Sequence, residues 1–293
     1  MNPFLVLLVL LSAFMHAGWN LLARHQKAED VFFARILMIV ALVGLVPAGL
    51  SELLTHSLTA KSFACAAGSG LCFGFYFFFL ARAYASADFT SVYPIARALP
   101  VLFIALGDVA RARYPSAIGW VAILLVTSGL LLAPLESFGD FNHRRYLRRR
   151  MLWVILTAVA TVGFTMFDKI GSESLRFSGP ATAARYGYAL YFVSCVSYLA
   201  LNAFFGERRR DTTGISWRTP ILGALLTFGG YWLVLWAYQL TTRASYVFAF
   251  RQFSVVIAVA LAFHIYREKG LFVRLTGTAL ITAGLVLIAI WGK

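Results

Sequence analysis

Two arginines lie inside apolar runs where a charged side chain is unusual. Arg97 falls in the run from Asp88 to Asp108, and Arg251 falls in the run from Arg243 to His264. At about 1.5 Å of rise per helical residue, Arg97 lies roughly 13 Å into its run, near the middle of a hydrocarbon core about 30 Å thick. A guanidinium stays charged there and must face protein, water or a ligand. Its forked donors match carboxylate and phosphate oxygens, so we predict anion binding, with helix bracing or gate closure as the alternative.

Other polar and aromatic residues in the apolar runs are further candidates. Those predicted to contact the substrate beside the arginines are Tyr93, Tyr231, Trp19, Asn20 and Tyr76. Those predicted to act in gating or coupling are His16, Asp168, Arg35, Arg185, Pro94 and Pro100. Each has a structural alternative. Aromatic rings can line a cavity or form interfacial belts and ordinary packing.

His16 lies one helical turn before Asn20, near the end of the first apolar run. An imidazole could carry a coupling proton near neutral pH, or it could be a satisfied core histidine. Asn20 matches Asp168 near the end of the sixth run. Both could be gate or binding groups, or they could cap helix ends.

Arg35 and Arg185 lie near the starts of their apolar runs, so their side chains could also extend to the membrane interface. Pro94 and Pro100 flank Arg97. A proline frees a backbone carbonyl and permits a kink, which membranes tolerate where the helix faces protein or a wet cavity. A packing kink without substrate contact is the alternative.

The composition predicts a membrane protein. The 293 residues are 60% hydrophobic and 13% charged, whereas soluble domains carry about 25% charged residues. The net charge of +14 comes from basic residues between the apolar runs, where topology and anionic lipid headgroups explain it without nucleic acid. We therefore expect a multi-pass protein of the cell (inner) membrane. Its expected partners are a small-molecule substrate and lipids, and it would be a monomer or homodimer.

The sequence indicates no cofactor or metal site. Cys65, Cys72 and Cys195 show no paired spacing, which favours neither a disulfide framework nor a metal site. The chain has no GxxxxGK[ST] loop, so we do not expect it to use ATP.

Ten apolar segments fall into two sets of five. A shift of 154 residues pairs Ala83 with Ala237 and Arg97 with Arg251. Because five is odd, the second set must enter the membrane in the opposite orientation, as in the inverted repeats of many secondary transporters. We predict an all-α integral membrane fold of ten transmembrane helices in two inverted five-helix repeats. The repeats would be residues 1–135 and 151–293, joined by a basic connector at 136–150.

The stretch HAGWNLLAR, from His16 to Arg24, and the two five-helix repeats resemble the drug/metabolite transporter superfamily in its ten-helix, EamA-like branch. The resemblance covers the whole chain. It implies a cavity lined by helices 1 to 4 and 6 to 9, with helices 5 and 10 peripheral. Such families include exporters of amino acids and other metabolites, and carriers of nucleotide sugars and sugar phosphates. The resemblance therefore leaves the substrate open.

The predicted function is secondary active or exchange transport of a small anionic or zwitterionic metabolite by alternating access. Amino acids, phosphonates and organic acids are the types expected. No segment centre clearly holds an aspartate or glutamate, so we expect a net positive cavity and no obligatory proton antiport through an acid. The alternative is an integral-membrane lipid-modifying enzyme, not a transporter. Such an enzyme needs a nucleophile, a base and a metal- or phosphate-binding group on one face, but His143 and His264 are isolated.

The basic residues also bear on orientation. Fourteen lysines and arginines lie between segments 1–2, 3–4, 5–6, 7–8 and 9–10, against seven on the opposite side. An excess of lysine and arginine marks the cytoplasmic side, which would place both termini outside. The family resemblance implies both termini inside.

Overall fold

The computed structural model describes residues 1–24, 29–86, 89–133, 135, 137–140, 151–206, 216–261 and 270–292. These ranges contain eleven α-helices, one short 3-10 helix (Phe138–Asp140) and no strand. The helices are α1 (Pro3–Arg24), α2 (Glu29–Thr55), α3 (Ala60–Ser86), α4 (Phe89–Ala110), α5 (Ala117–Leu132), α6 (Met151–Ser172), α7 (Pro180–Phe205), α8 (Arg218–Gln239), α9 (Ala244–Arg251), α10 (Phe253–Leu261) and α11 (Leu271–Trp291).

Most of these helices can cross a membrane. Eight stretches of the described chain are long and apolar enough, with α9 and α10 counted together as Ala244–Leu261. The apolar α5 has 16 residues and α4 has 22 residues. At about 1.5 Å per residue, α5 is roughly 24 Å long. The prediction of an all-α, multi-pass membrane protein is confirmed.

Both ends of the chain lie at one face of the helix bundle, here called the terminal face. The amino group of Met1 donates to the carbonyl of Ala289 at 2.5 Å. The turn after α2 meets the turn after α6 at this face, where the Arg176 N–H donates to the Ser57 carbonyl at 3.0 Å. Because α1 begins at the face where α6 ends, the two halves run in opposite directions. The opposite face is here called the connector face.

The helix contacts agree with a two-fold exchange of the halves. α3 packs on α6 and α7, and correspondingly α8 packs on α1 and α2. α4 packs on α5 and α6, as α9 and α10 pack on α1 and α11. Other contacts join corresponding helices directly, namely α2 with α7, α5 with α11 and α4 with α9. The division into repeats at 1–135 and 151–293 fits these contacts and stays a prediction, and residues 141–150 of the connector lie outside the described residues.

The peripheral pair α5 and α11 packs backbone against backbone. A Cβ added at Gly129 would lie 2.5 Å from the carbonyl oxygen of Gly277. Only a residue without a side chain allows this approach, so glycine fixes the contact between the last helices of the two halves.

The apolar run from Arg243 to His264 is divided at Gln252 into α9 and α10. The Gln252 N–H donates to Ala249, and the Val255 N–H donates to Gln252, at 2.9 and 2.8 Å. Both bonds span three residues instead of four, which tightens the helix at this point. By contrast, α4 continues without interruption through Pro94 and Pro100. The break thus occurs in the half that has no prolines at the matching positions. Residues 262–264 at the end of the run lie outside the described residues.

Candidate functional site

A central cavity lies where the two halves meet. Its volume is about 40 Å³. That is room for roughly three water molecules, so this conformation must open to admit a metabolite. The cavity is lined by His16, Trp19, Phe73, Tyr76, Leu80, Ala96, Arg97, Thr157, Thr161, Phe164, Thr227, Phe248, Arg251 and Gln252. These residues belong to α1, α3, α4, α6, α8 and the junction of α9 with α10.

The lining agrees in part with what the family resemblance implies. The fifth and tenth predicted helices, α5 and α11, contribute none of the described lining residues. The second and seventh helices, α2 and α7, also contribute none of them in this conformation, although the resemblance places them around the cavity.

Arg97 and Arg251 line this one cavity from opposite halves. α4 begins at the connector face and α9 begins at the terminal face. At about 1.5 Å per residue, Arg97 lies roughly 12 Å from the start of α4 and Arg251 roughly 10 Å from the start of α9. The structure therefore brings both guanidinium groups to the middle of the bundle, Arg97 half-buried and Arg251 buried.

Arg251 is held by contacts on two sides. Its Nη2 lies 3.1 Å from Nδ1 of His16. Its guanidinium carbon lies 5.1 Å from the centroid of the Tyr231 ring, within the range of a cation–π contact. Its Nε is buried and has no protein hydrogen-bond partner among the described residues. One donor of the guanidinium therefore stays available to a ligand.

The contacts of His16 define its tautomer. Trp19 donates from Nε1 to Nδ1 of His16 at 3.0 Å, and the Arg251 guanidinium approaches the same nitrogen. Both neighbours can only donate, so Nδ1 must be the acceptor and Nε2 must carry the hydrogen. Nε2 is buried without a partner in the described part of the chain. Among the described lining residues, His16 Nε2 and Arg251 Nε are thus nitrogen donors without a partner.

Asp168 lies fully buried in α6 beside this cluster. Its Oδ1 accepts a hydrogen bond from the Tyr186 hydroxyl at 3.1 Å, and its Oδ2 accepts one from the Tyr231 hydroxyl. Tyr231 therefore joins Asp168 to Arg251 and does not itself line the cavity. The described lining residues include two arginines and no carboxylate. Asp168 is four residues from the end of α6, which is why it is absent from the segment centres.

The other predicted substrate residues have different positions. Trp19 and Tyr76 line the cavity. Asn20 is half-buried, and its Nδ2 donates to the His16 carbonyl in its own helix at 2.7 Å. The side chains of Tyr93 and Pro94 lie outside the described residues. Pro100 is buried in α4 and is not a lining residue.

Arg35 and Arg185 fasten α2 to neighbouring elements instead of lining the cavity. Arg35 is buried, donates to the Ser216 carbonyl at 3.4 Å and lies 4.3 Å from the Trp217 ring centroid, beside the start of α8. Arg185 in α7 donates from Nε to Ser57 Oγ and from Nη1 to Ser51 Oγ, both at 2.9 Å. These contacts brace helices at opposite faces. A gating role for either residue stays a prediction.

An ion network lies at the terminal face. Arg111, after α4, contacts Glu173, after α6, at 2.5 Å, and Lys169 contacts the other oxygen of Glu173 at 3.0 Å. Partial burial raises the pKa of the Glu173 carboxyl, but hydrogen bonds from Arg111 and Lys169 outweigh burial and lower the pKa below its usual value. Nearby, the buried Asp108 carboxylate accepts the N–H groups of Ala244 and Ser245 at 3.2 and 2.8 Å. This cap ties the start of α9 to the end of α4.

Several lining residues were not among the sequence candidates. The polar ones are Thr157, Thr161, Thr227 and Gln252. Thr157 and Thr161 are one turn apart in α6, a spacing that places both on one helix face. Gln252 directly follows Arg251 within an apolar run. Both signals are visible in the sequence, whereas Phe73, Phe164 and Phe248 cannot be told from packing residues before the helices are assembled.

The fold and cavity define a class of protein, a multi-span helical membrane protein with a central arginine-lined cavity between two opposed halves. Residues 148–290 match the model of the EamA-like transporter family. This match covers the second half of the chain and is consistent with the drug/metabolite transporter superfamily. The resemblance stated from the sequence is confirmed.

A solved structure described only as "Crystal structure of protein" has the same fold. It superposes with a TM-score of 0.69, covers 99% of each chain and shares 12% sequence identity. At that identity the likeness concerns the fold alone. A search of curated proteins finds no match to this sequence.

Proposed function

We propose that this membrane transporter moves a small anionic or zwitterionic metabolite by alternating access, as a secondary active or exchange transporter of the cell (inner) membrane. Amino acids, phosphonates and organic acids are the expected substrate types. The observation that carries the proposal is the buried Arg251, which lines the central cavity with one donor unpaired among the described residues.

The charge of the lining supports an anionic group on the substrate. Arg97 and Arg251 line one small cavity from opposite halves, and the described lining residues offer no carboxylate to neutralise them. An anion placed between them would accept charge-assisted hydrogen bonds, which are stronger than those between neutral groups. The unpaired Nε2 of His16 would add a third donor.

The ion network at the terminal face supports alternating access. The ion network around Glu173 joins the ends of α4 and α6 at the terminal face. On the connector side of Arg251, the lining continues through Arg97, Thr161 and Thr157. We therefore assign this conformation to the state that is closed at the terminal face. Transport would exchange it for a state in which Arg111 and Glu173 separate.

Counterflow into proteoliposomes tests the proposal. Vesicles loaded with an unlabelled anionic or zwitterionic metabolite should transiently accumulate the same compound, labelled, above its external concentration, and Arg251→Gln vesicles should not. Ser254→Ala is a matched control, because Ser254 is buried in α10 next to the break but is not among the lining residues. An integral-membrane lipid-modifying enzyme would show no counterflow with any of these compounds.

A further inference from the structure

We propose that Gln252 determines specificity by accepting a hydrogen bond from the substrate. The substrate would then be a small anion with an ammonium or hydroxyl group next to its anionic group. The inference rests on the proposed function and assigns a second recognition group to the same cavity.

The side chain of Gln252 is fully buried and has one half of its amide unused. Its exposed fraction is 0%, and it lines the cavity. Its Nε2 donates to the Phe248 carbonyl at 3.2 Å, whereas its Oε1 has no partner among the described residues. Turning the amide over would place Oε1 against the Phe248 carbonyl, where two acceptors repel. The carbonyl therefore fixes the amide orientation in which Nε2 is bonded and Oε1 has no partner among the described residues.

A buried acceptor without a partner is unfavourable in a membrane protein, where water is scarce. Such groups are rare and call for an explanation such as a functional role. The break between α9 and α10 gives the reason for its position. The tightened turn at Gln252 places a polar residue in the cavity wall in the middle of an otherwise apolar span.

Donors and acceptors in the cavity are placed close together. Among the described lining residues, Arg251 Nε and His16 Nε2 are nitrogen donors without a partner, and Gln252 Oε1 is an acceptor without one. Arg251, His16 and Gln252 all line one cavity of about 40 Å³. A ligand that reaches these groups together must carry its anionic group and its donor close to each other.

The hydroxyl of Thr227 extends the acceptor side. It is buried, lines the cavity and has no partner for its Oγ1 in the described part of the chain. Facing these groups are the rings of Phe73, Tyr76 and Phe164. The remainder of the substrate would therefore contact aromatic surface. A simple carboxylate would leave Gln252 Oε1 unpaired, and a site built to bind a donor discriminates against an analogue that lacks it.

Two matched series of compounds test the inference on the purified full-length protein. The first is phenylalanine, phenyllactate and 3-phenylpropionate, and the second is alanine, lactate and propionate. Within each series the group on the carbon next to the carboxylate changes from ammonium to hydroxyl to hydrogen. Dissociation constants are obtained from the rise of the melting temperature with concentration. In at least one series, we expect the ammonium and hydroxyl compounds to bind about tenfold or more tightly than the third.

Two variants of Gln252 assign this preference to its acceptor. Gln252→Leu should remove the preference, so that the compounds of a series bind within about threefold of one another. Gln252→Glu retains an acceptor and should favour the ammonium compound over the hydroxyl compound. The control is Gln239→Leu, because Gln239 accepts the Gly179 N–H and lies outside the central cavity.

Two results would overturn the inference while leaving the proposed function in place. One is equal affinity of the wild-type protein for all members of a series that binds. The other is a preference for the ammonium and hydroxyl compounds that survives in Gln252→Leu. If the leucine variant does not fold, an unchanged order of affinities in Gln252→Glu has the same meaning. Failure of all six compounds to stabilise the wild-type protein would also overturn it. The proposed function is tested separately, since its failure would appear as absent counterflow in the wild-type protein.

Discussion

The Nη2 of Arg251 lies 3.1 Å from Nδ1 of His16, so a residue of α9 is held by a residue of α1. The first and second halves of the chain therefore meet at the group proposed to bind the anion. The offset that matches Asn20 with Asp168 pairs His16 with Phe164, which also lines the cavity. An imidazole in one half corresponds to a phenyl ring in the other. The two arginines consequently occupy unequal surroundings, and we expect Arg251 to be the better oriented of the pair.

His16 is predicted to position Arg251. His16→Phe removes the acceptor and should weaken substrate affinity by about tenfold or more, since a hydrogen bond to a charged group contributes about 1.5–3 kcal/mol. His16→Asn keeps an oxygen near the place of Nδ1 and should retain most of the affinity. His56→Phe, at an exposed position of the terminal face, is the control. Loss of pH-driven flux in both His16 variants with normal counterflow would instead assign a coupling proton to His16.

Asp168 is predicted to be a structural acceptor for two tyrosines and not an obligatory proton carrier. Asp168→Asn should retain both counterflow and pH-driven flux. Asp168→Leu leaves the hydroxyls of Tyr186 and Tyr231 without their acceptor. It should lower the free energy of unfolding by about 2 kcal/mol or more, at about 1–3 kcal/mol for each unsatisfied group. Loss of pH-driven flux in Asp168→Asn with preserved counterflow would contradict this assignment.

The terminal-face network should respond to pH only in the acid range. The pKa of Glu173 is lowered in the folded protein, so its stabilising contribution is present above the usual carboxyl value of about 4.3 and is lost as pH falls through the lowered value. In a Glu52→Cys variant, the new thiol lies on the same face. The rate at which a thiol reagent labels it, relative to the rate for a free thiol, would report closure of the terminal face. We expect a constant relative rate from about pH 8 to about pH 5, whereas Glu173→Gln should label faster throughout. Equal labelling of both proteins would remove Glu173 from closure.

The basic residues of the chain predict its orientation in the membrane. In the sequence, fourteen lysines and arginines fall between segments 1–2, 3–4, 5–6, 7–8 and 9–10 and seven fall on the other side, so we expect the terminal face outside the cell. A reporter that is active only in the cytoplasm should be inactive when fused to Lys293. An active reporter would show that the family resemblance, which implies termini inside, predicts orientation better than the charge count.

The sequence was sufficient for the helices because each apolar span is a local pattern. The composition of the chain and the matching positions of Arg97 and Arg251 also predicted the central cavity, since a charged side chain in an apolar span has few acceptable environments. The contacts between helices were harder to predict from the sequence. Arg35 and Arg185 resemble cavity residues in the sequence, yet the carbonyl of Ser216 and the hydroxyls of Ser51 and Ser57 engage them at the helix ends.

Two features of the site depend on tertiary structure. Asp168 resembles a helix-end residue in the sequence, and only the assembly of α6, α7 and α8 brings the hydroxyls of Tyr186 and Tyr231 to it. The break at Gln252 could not be predicted from the sequence, because no proline or glycine marks it. It arises from a local change to three-residue hydrogen bonding, whereas Pro100 lies in a continuous helix.

The central claim is that Arg97 and Arg251 together bind the anionic group of the substrate. The most direct measurement is substrate affinity and uptake for Arg97→Lys, Arg97→Gln and Arg251→Gln in well-folded protein. Each glutamine variant should bind about tenfold to a hundredfold more weakly, because it loses a charge-assisted hydrogen bond at about 1.4 kcal/mol per decade. Arg97→Lys should recover only part of the affinity, because lysine keeps the charge but lacks the fork. Normal affinity and normal uptake in both glutamine variants would contradict the account, and normal affinity with slower uptake would move both arginines from binding to gating.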